Sequence, residues 1–152
     1  MSGTAMGGGP GVDDTVWDVA VVGSGGAGMS GAIAAADAGA RVVILTKAAL
    51  GASNTGRAQG GIQAAVGPDD SPASHFDDTF AAGHRAARPE LARRLTSDGP
   101  DAIRWLAELG VPFTRDGDRM RVLRCGGASR PRLLQAGERT GAEMVKALRA
   151  AV

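Results

Sequence analysis

The clearest functional pattern in this sequence is a set of glycines whose spacing is typical of a phosphate-binding turn. Residues Val21–Gly28 read Val-Val-Gly-Ser-Gly-Gly-Ala-Gly, so Gly23, Gly25 and Gly28 make a G-x-G-x-x-G pattern. Between a strand and a helix, the first glycine permits a tight turn and the second lets the backbone approach a pyrophosphate. The third lets the helix pack closely on the strand. Free N–H groups at the start of the helix would hold the phosphates, so the spacing predicts a dinucleotide site.

The elements needed to position this pattern are predicted on both sides of it. Val16–Val22 is a short apolar strand, and Gly26–Ala38 has the small and apolar residues of a packed helix that Gly39 would end. Arg41–Thr46 is a β-branched run, typical of a parallel strand buried on both faces. Together they predict a Rossmann-like βαβ unit in an α/β fold.

Past this unit the sequence predicts a binding loop, several helices and a hairpin. The loop Lys47–Gly61 is polar and glycine-punctuated, which is typical of a segment that binds something. A helix capped by Ser74 is expected to end near Ala82, and two more helices are expected over Glu90–Thr96 and Asp101–Glu108, after Pro89 and Pro100. Val111–Thr114 and Met120–Leu123 are expected to form a hairpin. A capping box at Thr140–Glu143 predicts a last helix over Met144–Val152. One βαβ unit cannot close a doubly wound sheet, and the last helix lacks a stop signal. We therefore expect an incomplete domain, the N-terminal part of a longer protein.

Composition and charge narrow the class of protein. The 152 residues are 43% hydrophobic and 22% charged, with a formal net charge of +1, which is typical of a soluble globular protein and gives no argument for nucleic-acid binding. No apolar run approaches the roughly 20 residues that span a bilayer, so direct membrane insertion is not expected. A single cysteine, Cys125, favours a reducing, cytoplasmic setting. Residues 1–15 are expected to be a disordered leader.

The end of the second strand leaves the kind of dinucleotide open. A carboxylate about 20 residues after the glycines would normally bind the ribose hydroxyls, but Thr46 and Lys47 stand here. The cation of Lys47 could instead accept the 2′-phosphate of NADP. These residues are therefore compatible with an NADP-binding reductase.

The loop after the second strand carries a resemblance to a known family. Ser53–Gly61 reads Ser-Asn-Thr-Gly-Arg-Ala-Gln-Gly-Gly. With Thr46-Lys47 before it, this loop resembles the flavin loop of the succinate dehydrogenase/fumarate reductase flavoprotein family, which includes L-aspartate oxidase. Further matching segments are Asp70-Ser71 with His75 and Asp78-Thr79, Trp105-Leu106, Gly110–Phe113 and Arg139-Thr140-Gly141. The resemblance runs from about Asp18 to the last residue.

The resemblance implies a Rossmann-like FAD-binding domain and the residues that contact FAD. Ser24–Ala27 are expected on the pyrophosphate, Thr46 and Lys47 near the adenosine ribose, and Asn54–Gly61 on the flavin side. The implied cofactor-binding residues are Gly23, Ser24, Gly25, Gly26, Ala27, Gly28, Thr46, Lys47, Ser53, Asn54, Thr55, Ala58, Gln59, Gly60 and Gly61. Residues 16–152 would form the N-terminal portion of that domain, with the capping and C-terminal domains absent.

Two departures from the family pattern shape the expected chemistry. Asn54 stands where membrane-complex members carry the histidine that links covalently to FAD, so FAD should be bound non-covalently. Succinate oxidation is then less expected than reductase or oxidase chemistry. Gly126–Ser129 reads Gly-Gly-Ala-Ser where many relatives have Gly-Gly-His-Ser, which leaves the substrate assignment open.

The activity implied by the resemblance is hydride transfer between the flavin and a small dicarboxylate or amino dicarboxylate. No residue of this chain matches the family's proton-transferring arginine or its substrate-binding histidine and threonine, so no catalytic residue is assigned. An iron–sulfur subunit is an implied partner, through which the protein would attach peripherally to a membrane. The alternatives are L-aspartate oxidase, an NADP-binding reductase and an inactive truncated binding module.

The histidines and the arginines near the end of the chain are expected to have structural or solvent-exposed roles. His75 and His84 do not have the spacing of metal ligands, so no metal site is predicted. Arg130, Arg132 and Arg139 could contact a flavin phosphate or a dicarboxylate, but a solvated charged face is the expected role.

Overall fold

A parallel strand–helix–strand unit opens the part of the chain that the computed structural model describes, residues 15–152. Strand β1 (Val19–Val22) leads into helix α1 (Gly26–Asp37), and strand β2 (Val42–Leu45) follows. The two strands pair in parallel along their whole length. The predicted βαβ unit is therefore present. The leader predicted for residues 1–15 lies outside the described residues except for its last residue.

Helix α1 packs on both strands through its small and apolar residues. It contacts β1 and β2 and buries Met29, Ala32 and Ile33. Gly39 then adopts φ +88°, a left-handed conformation that glycine reaches without a Cβ clash, and its N–H donates to the carbonyl of Ala36 at 2.8 Å. The predicted helix stop at Gly39 is confirmed.

One face of the two-stranded sheet is open to solvent. Val22 is 84% exposed and Leu45 is 52% exposed. Strand β1 begins at Val19, so Val16, which the sequence placed in the strand, lies before it and is exposed. The expectation that β2 is buried on both faces is wrong within residues 15–152, because Val42–Ile44 are only half-buried and Leu45 is exposed.

Short elements and then two longer helices follow the βαβ unit. In chain order they are α2 (Asn54–Arg57), β3 (Ile62–Gln63), α3 (Pro72–Ala82) and α4 (Pro89–Glu108). The Oγ of Ser71 accepts the N–H of Ser74 at 3.1 Å, so Ser71 caps α3. The prediction of Ser74 as the cap is wrong, because Pro72 occupies the first turn and moves the start of the helix upstream.

Helix α4 runs without interruption through Pro100, where the sequence predicted a break between two helices. Ala92, Thr96, Ile103 and Leu106 are buried along it, so one stripe of buried side chains crosses the proline. An interior proline costs about 3 kcal/mol, whereas burial of each large apolar side chain contributes about 1.5–3 kcal/mol. Packing along the stripe therefore outweighs the local break, and the prediction of two separate helices is wrong.

A small hairpin, a paired strand and a final helix complete the described chain. They are β4 (Arg115–Asp116), β5 (Arg119–Met120), β6 (Leu133–Leu134) and α5 (Thr140–Ala151). Strands β4 and β5 pair antiparallel around Gly117, which has φ +58°, so a hairpin is present in this region, as predicted. The strand positions predicted from the sequence are wrong: β4 lies after Val111–Thr114, and β5 overlaps Met120–Leu123 only at Met120. Val111 and Phe113 are buried in the core instead. Strand β6 pairs antiparallel with β3.

Side chains from helices α1, α4 and α5, from β6 and from the connecting segments meet in one apolar core. The buried members of this core are Met29, Ile33, Ala64, Ile103, Leu106, Val111, Phe113, Leu134, Ala136, Val145, Ala147 and Leu148. Helix α5 contributes the last three and packs against α1 and α2. The core therefore holds the last helix of the chain against the first.

A buried ion-pair cluster ties helix α3 to the segment before β6. Arg132 is fully buried, and its Nε and Nη2 each donate to a carboxylate oxygen of Asp70 at 2.8 Å, while Nη1 donates to Asp78 at 2.6 Å. The hydrogen bonds to Asp70 raise the pKa of Arg132 above its usual value, so the guanidinium stays charged. The expectation of a solvated face is wrong for Arg132, whereas Arg130 and Arg139 are exposed.

Asp78 is held in its charged form by several donors. Burial alone would raise the pKa of Asp78, but the N–H and Oγ of Ser129, at 2.7 and 2.8 Å, and the guanidinium of Arg132 hold it below its ordinary value. The carboxylate of Asp78 thus joins α3 to two points of the segment that precedes β6.

His75 lies one turn before Asp78 on helix α3. It is 6% exposed, and its Nδ1 is buried without a hydrogen-bond partner. Burial lowers the pKa of His75 below its ordinary 6.5, and the charge of Arg132 acts in the same direction, while Asp70 and Asp78 oppose it. The imidazole is therefore neutral in the folded chain near pH 7.

Removing the buried guanidinium should destabilise the fold strongly. Arg132→Met keeps the aliphatic stem but leaves the buried carboxylate of Asp70 without its partner, a loss of about 3–5 kcal/mol in the free energy of unfolding. Arg88→Met is the control, because Arg88 forms an exposed pair with Glu90 and should change stability by less than about 1 kcal/mol. Urea unfolding followed by circular dichroism measures both, and equal losses would contradict the assigned role of Arg132.

Mild acidification should lower stability through His75. Since the folded chain resists protonating His75, the unfolded chain takes up its proton first as the pH falls through about 6.5. The contribution is complete above that pH and is lost progressively below it. Urea unfolding between about pH 7.5 and 5.5 should show a smaller loss for His75→Asn than for the wild type.

His84→Asn is the matched control, since His84 is exposed and has φ +50°, a conformation that asparagine tolerates. Its stability should follow the wild-type pH dependence. The assignment to His75 is wrong if all three proteins lose stability in parallel.

Candidate dinucleotide-binding site

The turn between β1 and α1 is shaped by close contact between its own backbone atoms. Gly23 has φ +104°, and its N–H donates to the carbonyl of Leu45 at 2.8 Å, which continues the parallel pairing past the end of β1. A Cβ on Gly28 would overlap the carbonyl oxygen of Gly23. The first and last glycines of the pattern are thus required by the geometry of the turn.

The N-terminus of helix α1 faces out of this turn. Gly25 is its N-cap, with extended backbone at φ −77° and ψ −178°, and the helix begins at Gly26. The first N–H groups of a helix have no acceptor within it, and the aligned peptide dipoles place partial positive charge there. Ala27, in this first turn, is exposed. The N–H of Gly26 donates to Thr55 Oγ1 at 3.1 Å, so an anion placed against the turn would meet the next N–H groups of the helix.

Three hydroxyl and amide groups connect this turn to the end of β2. The N–H of Gly51 donates to Ser24 Oγ at 3.1 Å, Ser24 Oγ lies 3.0 Å from Thr46 Oγ1, and Thr46 Oγ1 donates to the carbonyl of Ala48 at 3.2 Å. Ser24 is 5% exposed. The structure thus brings together two residues that the sequence predicted for the site, whereas Lys47 is exposed beside them.

The loop segment Ser53–Gly61 lies directly on the glycine turn. Thr55 Oγ1 accepts the N–H of Gly26 at 3.1 Å, and a Cβ on Gly25 would lie 3.6 Å from the Cβ of Ser53. Ser53 is the N-cap position of α2, and Asn54 is exposed at the first residue of that helix. The first half of the predicted loop and the glycine pattern therefore form one surface.

The second half of the loop lies between helix α5 and strand β6. The N–H of Gly141 donates to the carbonyl of Ala58 at 3.0 Å, and a Cβ on Gly61 would overlap the carbonyl oxygen of Leu134. Gln59 is exposed. A third contact joins the carbonyl of Gly60 to helix α5.

Thr140 makes that third contact, a role the sequence did not predict. Its Oγ1 donates to Gly60 O at 2.9 Å and accepts the N–H of Ala136 at 3.1 Å. Helix α5 has Arg139 as N-cap and no side-chain cap, so the predicted capping box is wrong. The Thr-Gly step was visible in the sequence, but its partner lies 80 residues away.

The assembled surface fits the diphosphate of a dinucleotide. It combines glycines that tolerate no Cβ, a helix N-terminus with backbone donors, and hydroxyl-bearing residues at the carboxyl ends of both parallel strands. Within residues 15–152, no group of three histidine, cysteine or acidic side chains is placed to hold a metal ion. No helix in the same range is long and apolar enough to cross a membrane.

Known proteins match the chain in sequence. A family model described as FAD binding domain matches residues 18–152. The L-aspartate oxidase of Streptomyces coelicolor is 43% identical over 137 residues, which cover 89% of this chain and 24% of that protein. The L-aspartate oxidase of Synechocystis is 40% identical over 132 residues, which cover 87% of this chain and 24% of that protein.

Solved structures match the chain in fold. The Sdh1 complex of Mycobacterium smegmatis in the apo form gives a TM-score of 0.85 at 35% identity, over 89% of this chain and 23% of that chain. The quinol fumarate reductase of E. coli gives a TM-score of 0.84 at 33% identity, over 89% of this chain and 24% of that chain. The chain thus spans about a quarter of the length of the curated relatives described above.

Two glycines of helix α1 offer a matched test of the turn. Gly28→Ala would push a methyl group into the Gly23 carbonyl, and overpacking of this kind costs about 1–3 kcal/mol. Gly31→Ala is the control, because open space surrounds that position and alanine favours a helix by roughly 0.5–1 kcal/mol. Urea unfolding should show opposite signs for the two variants. A stabilised Gly28→Ala chain would contradict the described turn.

Proposed function

The chain belongs to the FAD binding domain family, and we propose that it is the FAD-holding part of an oxidoreductase of the fumarate reductase and succinate dehydrogenase type. The observation that carries this proposal is the hydrogen bond from the N–H of Gly26 to Thr55 Oγ1. It seats the loop Ser53–Gly61 on the phosphate-binding turn, so that a dinucleotide with its pyrophosphate on the turn would continue along the loop.

The proposed placement of FAD uses the three parts of the site in order. The pyrophosphate lies over Ser24–Ala27, where it meets the backbone donors of helix α1. The adenosine ribose lies near Thr46 and Lys47 at the end of β2. The isoalloxazine ring lies along Ser53–Gly61. Support for this order comes from the contacts that join these segments side by side.

When bound, FAD supplies the hydride chemistry of the proposed reaction. This chain contributes the binding and orientation of the cofactor through the segments named above. The proposed substrate is a small dicarboxylate or amino dicarboxylate. L-aspartate oxidation is a second candidate activity, supported by relatives of that name at 43% and 40% identity. An iron–sulfur subunit as electron partner and a cytoplasmic location at a membrane face are part of the first candidate. The likeness to a chain of the Sdh1 complex supports the presence of a partner subunit.

We further propose that FAD is bound without a covalent link. Asn54 occupies the middle of the Ser-Asn-Thr step, and an amide side chain lacks the ring nitrogen through which a histidine would bond to the flavin. Its position at the exposed start of α2 leaves it free to serve the cofactor through hydrogen bonds alone.

Titration of the purified chain with FAD tests the proposal. We expect saturable quenching of flavin fluorescence that NADP added in about tenfold excess does not reverse, since the proposed FAD site extends from the turn along the loop Ser53–Gly61. Precipitation with acid should then leave the yellow colour in the supernatant. Tight NADP binding without FAD binding would favour a reductase, and colour that stays in the pellet would contradict the non-covalent link.

A further inference from the structure

The first turn of helix α5 donates hydrogen bonds to two backbone carbonyls of the loop Ser53–Gly61, those of Ala58 and Gly60. Thr140 is 2% exposed, and its Oγ1 donates to the carbonyl of Gly60 at 2.9 Å. The N–H of Gly141 donates to the carbonyl of Ala58 at 3.0 Å. The backbones approach so closely here that a Cβ on Gly141 would overlap the carbonyl oxygen of Thr55.

These two bonds determine where the intervening N–H groups point. The described chain contains no cis peptide bond, so each C=O is antiparallel to the N–H of the next residue in the same peptide plane. With the carbonyls of Ala58 and Gly60 directed at helix α5, the N–H groups of Gln59 and Gly61 point to the opposite side. Residues 58–61 are all exposed.

The peptide between Gly60 and Gly61 depends more than other peptides of the loop on a hydrogen bond that fixes its orientation. Glycine has the widest backbone freedom of any residue, so a Gly-Gly peptide can rotate at little steric cost. Its position on the Gly61 side is limited by the carbonyl of Leu134. On the Gly60 side, the bond that fixes the peptide plane is the one from Thr140 Oγ1.

The other bond of the Thr140 hydroxyl fixes its direction. The N–H of Ala136 donates to Oγ1 at 3.1 Å, so the single hydroxyl hydrogen is left for Gly60. Ala136 is itself fully buried in the core. The hydroxyl is therefore held from the buried core and acts on the Gly60–Gly61 peptide.

We propose that Thr140 is a positioning residue for the cofactor, whose hydroxyl orients the Gly60–Gly61 peptide so that the Gly61 N–H faces FAD. This role rests on the proposed function, because it presumes that the loop lies along the isoalloxazine ring. Thr140 does not touch FAD in this arrangement, and it acts only through the backbone of the loop.

Two substitutions separate the hydroxyl from the shape of the side chain. Thr140→Val keeps the volume and removes the hydroxyl, whereas Thr140→Ser keeps the hydroxyl and removes a methyl group. FAD affinity is measured by fluorescence titration at a temperature where urea unfolding shows each chain to be folded. We expect Thr140→Val to weaken FAD binding by about tenfold and Thr140→Ser to stay within about twofold of the wild type.

A second measurement tests the hydrogen bonds of the Thr140 hydroxyl in the absence of FAD. Hydrogen–deuterium exchange at the Ala136 amide should be faster in apo Thr140→Val than in the wild type, and it should be restored in Thr140→Ser. If Thr140→Val does not fold, Thr140→Ala compared with Thr140→Ser gives the same contrast without the second γ-methyl group.

The outcomes distinguish this proposal from the function it rests on. Failure of the wild-type chain to bind FAD overturns the proposed function. If the wild type binds FAD and folded Thr140→Val binds it equally well, Thr140 is a structural residue only and the positioning role is wrong. A loss of affinity in Thr140→Ser as large as in Thr140→Val also overturns the role, because the hydroxyl would then not be the active group.

Discussion

Direct contact between backbone atoms, at positions where no side chain fits, is the constraint on which the rest of this structure depends. It occurs where Gly28 meets the carbonyl of Gly23, where Gly61 meets that of Leu134, and where Gly141 meets that of Thr55. The first contact seats helix α1 on the sheet, the second seats the loop on strand β6, and the third seats helix α5 on the loop. Each brings a polar backbone group within reach of a partner that a larger residue would have held away.

Around these contacts, two different kinds of interior keep the parts in place. The apolar core packs helix α5 against α1, and the buried cluster of Arg132 with Asp70 and Asp78 ties α3 to the segment before β6. The two meet at Arg132, whose backbone carbonyl accepts the N–H of Ala64 at 2.9 Å just past the loop. A charged cluster is a weak source of net stability, but it tolerates few alternative arrangements of the groups that satisfy it. The loop is thus anchored downstream by hydrogen-bond geometry as well as by burial.

Features written in consecutive residues were predictable from the sequence, and features that depend on distant partners were not. The glycine turn, the stop at Gly39 and the βαβ unit follow from local backbone preference, and the structure contains all three. Arg132 looked like a surface residue because the carboxylates that neutralise it lie 62 and 54 residues away. The hydroxyl of Thr140 fitted a local cap pattern but bonds to Gly60, and Pro100 fitted a helix start until packing along α4 outweighed it. In the candidate site, residue types were predictable, whereas the contacts between segments came from the fold.

The hydroxyl of Ser24 has a direction as well as a position, and that direction bears on how recognition can change over evolution. Its oxygen accepts from Gly51, and because Thr46 gives its own hydrogen to Ala48, the hydrogen of Ser24 is used on Thr46. An anion that approached Ser24 Oγ would therefore meet a lone pair of that oxygen and find no hydrogen to accept. Recognition at the turn then falls to main-chain amides, which every residue type except proline supplies. Side chains along the turn can diverge while the ligand is kept, as long as the glycines that shape the main chain remain.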